Sequence, residues 1–104
     1  MDATAPLAHH APMIETRDDI IDLIGNAAFS EARDLVMAKD DFAPAFWDLR
    51  SGLLGELAQK LVNYGLTLRL TGDFAHETAA SNAFRDFVRE SRRTGPIFFV
   101  DSPT

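Results

Sequence analysis

Four groups of side chains have the types and spacings that chemistry uses. The first is Asp48, Arg50 and Ser51, ahead of a leucine-rich stretch. A hydroxyl opening a helix faces free backbone N–H groups and the positive end of the helix dipole. A phosphate on Ser51 would be stabilised there, with Arg50 beside it, although a serine at this place also serves as a plain N-cap. The second group is Asp73 and His76, which with Ser51 or Ser81 supply the residue types of an orienting carboxylate, a base and a nucleophile. No G-x-S-x-G elbow frames either serine, and neither Gly72 nor the Gly52/Gly55 pair has the Lys-Ser/Thr element of a phosphate loop. The reading therefore leans against catalysis.

The third group is Glu56, Gln59, Lys60 and Asn63, whose spacings of three and four align them on one side of a helix. They form either a solvated face or a recognition face. Gly52 and Gly55, three apart on that helix, suit close packing or the close approach of a ligand. The fourth group is Arg85, Arg89, Arg92 and Arg93, with Asp86 and Glu90 interleaved. Arginines gathered near a helix C-terminus are favourable in themselves, and their forks also recognise anions. Asp73, His76, Arg85 and Arg89 are accordingly the candidates for a small anionic ligand, with a minor hydrolase as the catalytic variant of that reading. His9 and His10 are adjacent, point apart on an extended chain and make a poor chelate, so no metal and no cofactor is expected.

Helical and strand periods alternate along the chain and position these groups. Met13–Glu15 reads as the end of a first strand. Thr16 is an N-cap, followed by Asp18 and Asp19 in a first turn and by an apolar face of Ile20, Ile21, Leu23, Ile24, Ala27 and Ala28. Leu35–Ala38 suits a buried strand, and Ala45–Leu49 a short helical turn carrying Phe46 and Trp47. Ser51 caps a helix through Val62 that ends at Gly65; Leu66, Leu68 and Leu70 then alternate with polar residues, as in a strand with one wet face. A loop over Phe74–Ala80 precedes a third helix, capped by Ser81 or Asn82, with an inner stripe of Phe84, Phe87, Val88 and Ser91. Gly95–Pro96 stops it, and Ile97–Val100 is a last strand. The final Ser102–Pro103 is a helix-opening signal with no helix after it.

Composition narrows the classes. At 104 residues one domain is expected, here 13–104 behind a flexible tail of 1–12. No cysteine is present, which excludes thiol catalysis, disulfides and cysteine-based zinc sites. A net charge of −6 argues against nucleic acid as a partner, and that charge is uneven. The first 52 residues have ten acidic against four basic side chains, whereas the remainder balances at six and six. Pairing of the arginine stripe with the acidic first half is the expectation. No run approaches the ~20 apolar residues of a membrane span, and the start lacks a secretory pattern, so a cytoplasmic protein without membrane contact is expected. Phe46 and Trp47 are neighbours, so on a helix only one can point fully inward. The other would leave an exposed apolar spot and room for a homodimer.

The stretch Phe46-Trp47-Asp48-Leu49-Arg50-Ser51-Gly52-Leu53-Leu54-Gly55-Glu56-Leu57-Ala58-Gln59-Lys60 resembles the signature of a bacterial family, domain of unknown function 4180. The resemblance extends through Asn63-Tyr64, Thr71-Gly72-Asp73-Phe74, Arg85-Asp86-Phe87-Val88-Arg89-Glu90-Ser91 and Phe98-Phe99-Val100, with departures at Leu54, where alanine is usual, and at Arg92, where asparagine is usual. It implies a fold and no activity. A more distant similarity is to STAS domains, the sulfate-transporter and anti-sigma-factor-antagonist modules. It rests on Leu35–Ala38, on Asp48–Leu53 with one extra residue in the D-S-S-G-L pattern, on Gly65, and on Leu66–Gly72. The fold expected is α/β: a small STAS-like sandwich with a mostly parallel four- to five-stranded sheet and three to four helices. The function expected is a non-catalytic regulatory or protein-interaction module. Its surface would comprise Phe46, Trp47, Asp48, Arg50, Ser51, Glu56, Gln59, Lys60 and Asn63, with a protein partner.

Overall fold

The computed structural model describes residues 13–31 and 33–100; the expected tail, the His9–His10 pair and the last four residues lie outside them. Four helices and three strands follow in order: α1 (Arg17–Phe29), β1 (Asp34–Ala38), α2 (Leu53–Asn63), β2 (Thr67–Thr71), α3 (Ala75–Ala80), α4 (Asn82–Thr94) and β3 (Ile97–Val100). Short 3-10 turns at Lys39–Asp41, Pro44–Trp47 and Leu49–Ser51 join β1 to α2.

Local chemistry sets the helix ends. Thr16 Oγ1 accepts from Asp19 N at 3.2 Å, while Asp19 Oδ2 accepts from Glu15 N at 2.8 Å and Thr16 N at 3.0 Å, a reciprocal capping box. At the end of α2, Gly65 takes a left-handed φ of 68°, its N–H donates to Val62 O at 3.1 Å and Leu66 N donates to Leu61 O at 2.8 Å. That pattern turns the chain straight into β2. Ser81 caps α4 by accepting from Phe84 N at 3.1 Å. The stretch expected to be a loop, Phe74–Ala80, instead holds α3. Asp73 Oδ1 takes the Ala75 N–H at 2.9 Å, and the alanine-rich segment that follows contains no helix breaker.

The sheet is parallel throughout, in the order β1-β2-β3. It has three strands among the described residues, fewer than the four or five expected. The first expected strand shrinks to one parallel bridge, Ile14 with Phe42, made by Ile14 N to Asp41 O and Ala43 N to Ile14 O, both 2.9 Å. Thr16 already belongs to the cap of α1, so the segment cannot lengthen forward.

Leu68, Leu70, Ile97 and Phe99 are buried, with Leu35 and Met37 packed beside them on the same side of the sheet. They join Ile20, Ile24, Leu54, Leu57, Leu61, Phe84 and Val88 from the helices in one core. Seven rings run through or along it. Phe42 lies 5.1 Å from Phe46 and 5.5 Å from Trp47; Phe74 lies 5.0 Å from Trp47 and 5.2 Å from Phe99. Phe84 and Phe87 close the row against Phe99.

Candidate functional site

The carboxyl ends of the strands lead into the turns that hold most of the candidate residues. After β1, Lys39 reaches across to the turn after β2. Its Nζ donates to Asp73 O at 2.8 Å, pairs with Glu77 Oε2 at 2.7 Å and sits 4.9 Å above the Phe74 ring. Glu77 Oε1 is buried without a hydrogen-bond partner. This cluster ties β1, β2 and α3 together at one end of the sheet.

Several open depressions lie at this end of the sheet, one of about 370 Å³ lined by Lys39, Asp40 and Asp73. A crevice of about 180 Å³ is lined by Gly72, Asp73, Phe74, Thr78, Val88 and Arg92, among others. A groove of about 490 Å³ runs between Trp47, Asp48 and Arg50 on one wall and His76, Glu77 and Ser81 on the other. Another, of about 520 Å³, is bordered by Thr78, Arg85, Val88, Arg89, Arg92 and Arg93. Asp73, His76 and the Arg85/Arg89 pair thus line three different depressions, of which the Asp73 crevice and the arginine groove adjoin through Thr78, Val88 and Arg92 while the His76 groove stands apart. The structure does bring His76 beside Asp48 and Arg50, which the sequence assigned to different surfaces.

Among the described residues, the candidate serines and His76 form no nucleophile–base chain. Ser51 Oγ accepts from Leu53 N at 3.2 Å, and Ser81 Oγ is the cap of α4. Among the described residues, no hydrogen bond joins His76 to Ser51, Ser81 or Asp73. Nor does any group of three or more His, Asp or Glu side chains among them stand where it could hold a metal ion.

The turn before α2 is locked by its own side chains. Asp48 Oδ1 accepts from Arg50 N and Arg50 Nε, and Oδ2 from an Arg50 terminal nitrogen, all at 3.0 Å. The Arg50 side-chain bonds, with the Arg50 N–H, hold the Asp48 carboxyl below its usual range; the same contacts raise the Arg50 guanidinium above its ordinary value. The N-cap of α2 is Gly52 rather than Ser51, because the chain enters through a 3-10 turn and not directly.

Two expectations about exposed surface are overturned. Phe46 and Trp47 are both buried, at 0% and 8% exposure. A 3-10 turn spaces successive side chains by about 120°, and rings of the core receive both, so no exposed apolar spot exists there to support a homodimer. The expected pairing of the arginine stripe with the acidic half is likewise not found at Arg85, Arg89 or Arg93 among the described residues. Arg89 pairs with Asp86 at 2.6 Å and Arg93 with Glu90 at 3.5 Å, both within α4, while Arg85 donates to Asn82 Oδ1 at 2.7 Å.

On α2, Lys60 pairs with Glu56 at 3.4 Å, Gln59 donates to Asn63 at 3.0 Å, and Arg17 of α1 approaches Glu56 at 4.0 Å. Beside this face lies an apolar area that the periodicity argument missed. Ile21 is 53% exposed, Phe29 91% and Tyr64 54%, and a groove of about 250 Å³ joins Ile21, Gly25, Lys60 and Tyr64. The signal was present in the spacing: Ile21, Gly25 and Phe29 recur every fourth residue, offset from the buried row of Ile20, Ile24 and Ala27.

Among the described residues, no helix is long and apolar enough to cross a membrane. No curated protein and no solved structure matches the chain. A family model does match, over residues 2–104, and by that match the chain belongs to the DUF4180 family, a domain of unknown function.

Proposed function

We propose that the protein is a non-catalytic regulatory or protein-interaction module whose working face is the outer surface of α1 and α2. The observation that supports this most directly is the exposed row of Ile21, Gly25 and Phe29 beside Tyr64. Each large apolar side chain left in water forgoes roughly 1.5–3 kcal/mol of burial. A patch of them bordered by Lys60, which pairs with Glu56, has the anatomy of a protein interface, apolar at the centre and polar at the edge. Gly25 lines the groove with Ile21, Lys60 and Tyr64 and has no side chain to fill it, which leaves a notch in the row. The partner is a protein presenting an apolar side chain to that notch; a second copy of the chain seated there would make the homodimer form of the same reading. The scattering of Asp73, His76, Ser51 and Ser81 supports the non-catalytic part. The order of strand, acidic turn, helix, strand, helix and strand supports a STAS-like reading of the module.

A photo-activated cross-linker placed at Phe29 in the native host tests the proposal. It should give one discrete product, either a second copy or a distinct protein, and that product should vanish when Ile21→Glu is added. A diffuse product pattern, or a discrete product indifferent to Ile21→Glu, would remove this surface as the working face.

A further inference from the structure

The arginine groove is independent of the α1–α2 face and asks for a different occupant. Arg85, Arg89 and Arg92 recur at intervals of four and three, which stacks them along one side of α4, with Arg93 alongside. They border a concavity of about 520 Å³, closed on its other side by Thr78 of α3 and floored by Val88. It shares Thr78, Val88 and Arg92 with the crevice of about 180 Å³ at the carboxyl ends of β2 and β3, where Phe99 and Val100 add apolar wall.

Charge makes the groove exceptional in this chain. The protein has a net charge of −6, yet α4 contains four arginines against two carboxylates. Among the described residues, Arg85, Arg89 and Arg93 meet no carboxylate of the acidic first half; their contacts are with Asn82, Asp86 and Glu90 of their own helix. Those ion pairs are weak competitors. The side chains of Arg89 and Asp86 are 68% and 61% exposed, in the range where water and salt screen such contacts. Each contact also engages one terminal nitrogen of a guanidinium that has five N–H donors.

We propose that this groove binds a small phosphorylated molecule. Its phosphoryl oxygens are held by the forks of Arg85 and Arg89 with Arg92 and Arg93 adding charge, and its less polar part lies on Val88 towards the Val100 end of the crevice. Phosphate fits the forks because its oxygens accept paired N–H bonds from arginine. The size suits a small molecule: the two adjoining hollows, of about 520 and 180 Å³, together have the volume of ligand sites.

Isothermal titration calorimetry at low ionic strength tests this with three probes: inorganic phosphate, pyrophosphate and adenosine monophosphate. The expected result is saturable binding of pyrophosphate or the nucleotide, weakened about tenfold or more in Arg85→Glu/Arg89→Glu. Arg50→Glu, on the far side of α3, should leave it unchanged. Circular dichroism of each variant keeps loss of fold apart from loss of binding. Inorganic phosphate binding as tightly as the other two would reduce the site to a counter-ion position and overturn the proposal. So would binding that survives the double substitution, or no saturation by any probe. Neither Ile21 nor Phe29 takes part, so this site can fail while the α1–α2 face stands.

Discussion

Lys39→Met isolates the cluster that locks the carboxyl end of the sheet. Methionine keeps the unbranched stem that lies against Gly72 and Phe74 and removes only the ammonium group. That group is the partner of Glu77 Oε2 and a donor to Asp73 O. The remaining Glu77 oxygen already lacks a partner, so the substitution leaves a whole carboxylate unpaired. The Lys39 and Glu77 side chains retain 24% and 18% exposure. Their loss therefore lies between that of an exposed pair, about 0–1 kcal/mol, and that of a fully buried one, about 3–5 kcal/mol. About 2 kcal/mol is expected. In a domain of this size that lowers Tm by roughly 8–16 °C. Urea unfolding followed by fluorescence of Trp47, the only tryptophan, reads the change directly, since its ring contacts Phe74 in the same cluster. Adding Glu77→Gln should recover more than half of the loss, because the stranded charge is then gone. A loss below about 0.5 kcal/mol, or no coupling between the two substitutions, would mean that the pair is an incidental surface contact.

Gly72→Ala should cost about 2–3 kcal/mol by the same urea assay: φ is +145° there and the new Cβ would lie 2.7 Å from Lys39 Cβ. Ser81→Ala removes the cap that accepts from Phe84 N and should cost about 1 kcal/mol; an unchanged urea midpoint would show α4 to be held by packing alone. Asp19 gives a pH signature. The N–H groups of Glu15 and Thr16 hold its carboxyl below the ordinary range. A lowered folded value means that its stabilisation is present above the unfolded value of about 3.9 and fades as pH falls through the folded one. Asp19→Asn should accordingly flatten the acid limb of the stability curve below about pH 4 and leave its shape at neutral pH unchanged.

The strands and long helices were legible because each has a strong local cause. Thr16, Gly65 and Ser81 mark boundaries through backbone hydrogen bonds with near neighbours, and the Leu68/Leu70 alternation fixes a face of β2. What was not legible depends on contacts distant in sequence. Ile21 sits beside Ile20 in the same apolar run, and only the docking of α1 on α2 decides which of them is buried. On an α-helical turn Phe46 and Trp47 would be rivals for one core-facing position. The 3-10 geometry and the rings of Phe42 and Phe74 gave both a place inside. The partners of the arginines were equally beyond reach, since total charge says nothing about which carboxylate lies nearby. The candidate site suffered most: Asp73, His76 and Arg85 are close in sequence but face three different hollows.

A parallel sheet ordinarily has both faces covered, whereas among the described residues one face of this sheet leaves Val36 and Arg69 exposed. Strands in sequential order, joined by crossovers of one hand, place every connecting helix on the same side. The opposite face presents Thr67, Arg69 and Thr71 from the central strand, and register sets Arg69 between Val36 and Phe98. Val36 is exposed and Phe98 half-buried, so Arg69 is the charge that separates two apolar side chains in that row. An arginine on such a surface keeps its charged end in water, and Arg69 is exposed. Arg69→Val should therefore leave the fold intact, since nothing on the inner face changes, yet join the row into one apolar strip across all three strands. The expected result is an unaltered circular dichroism spectrum with concentration-dependent association in sedimentation velocity, and Val36→Asp in the same chain should reverse it. If Arg69→Val sediments as the parent does at every concentration, the outer face is kept open by something other than this charge, and the wet-face account of β2 fails with it.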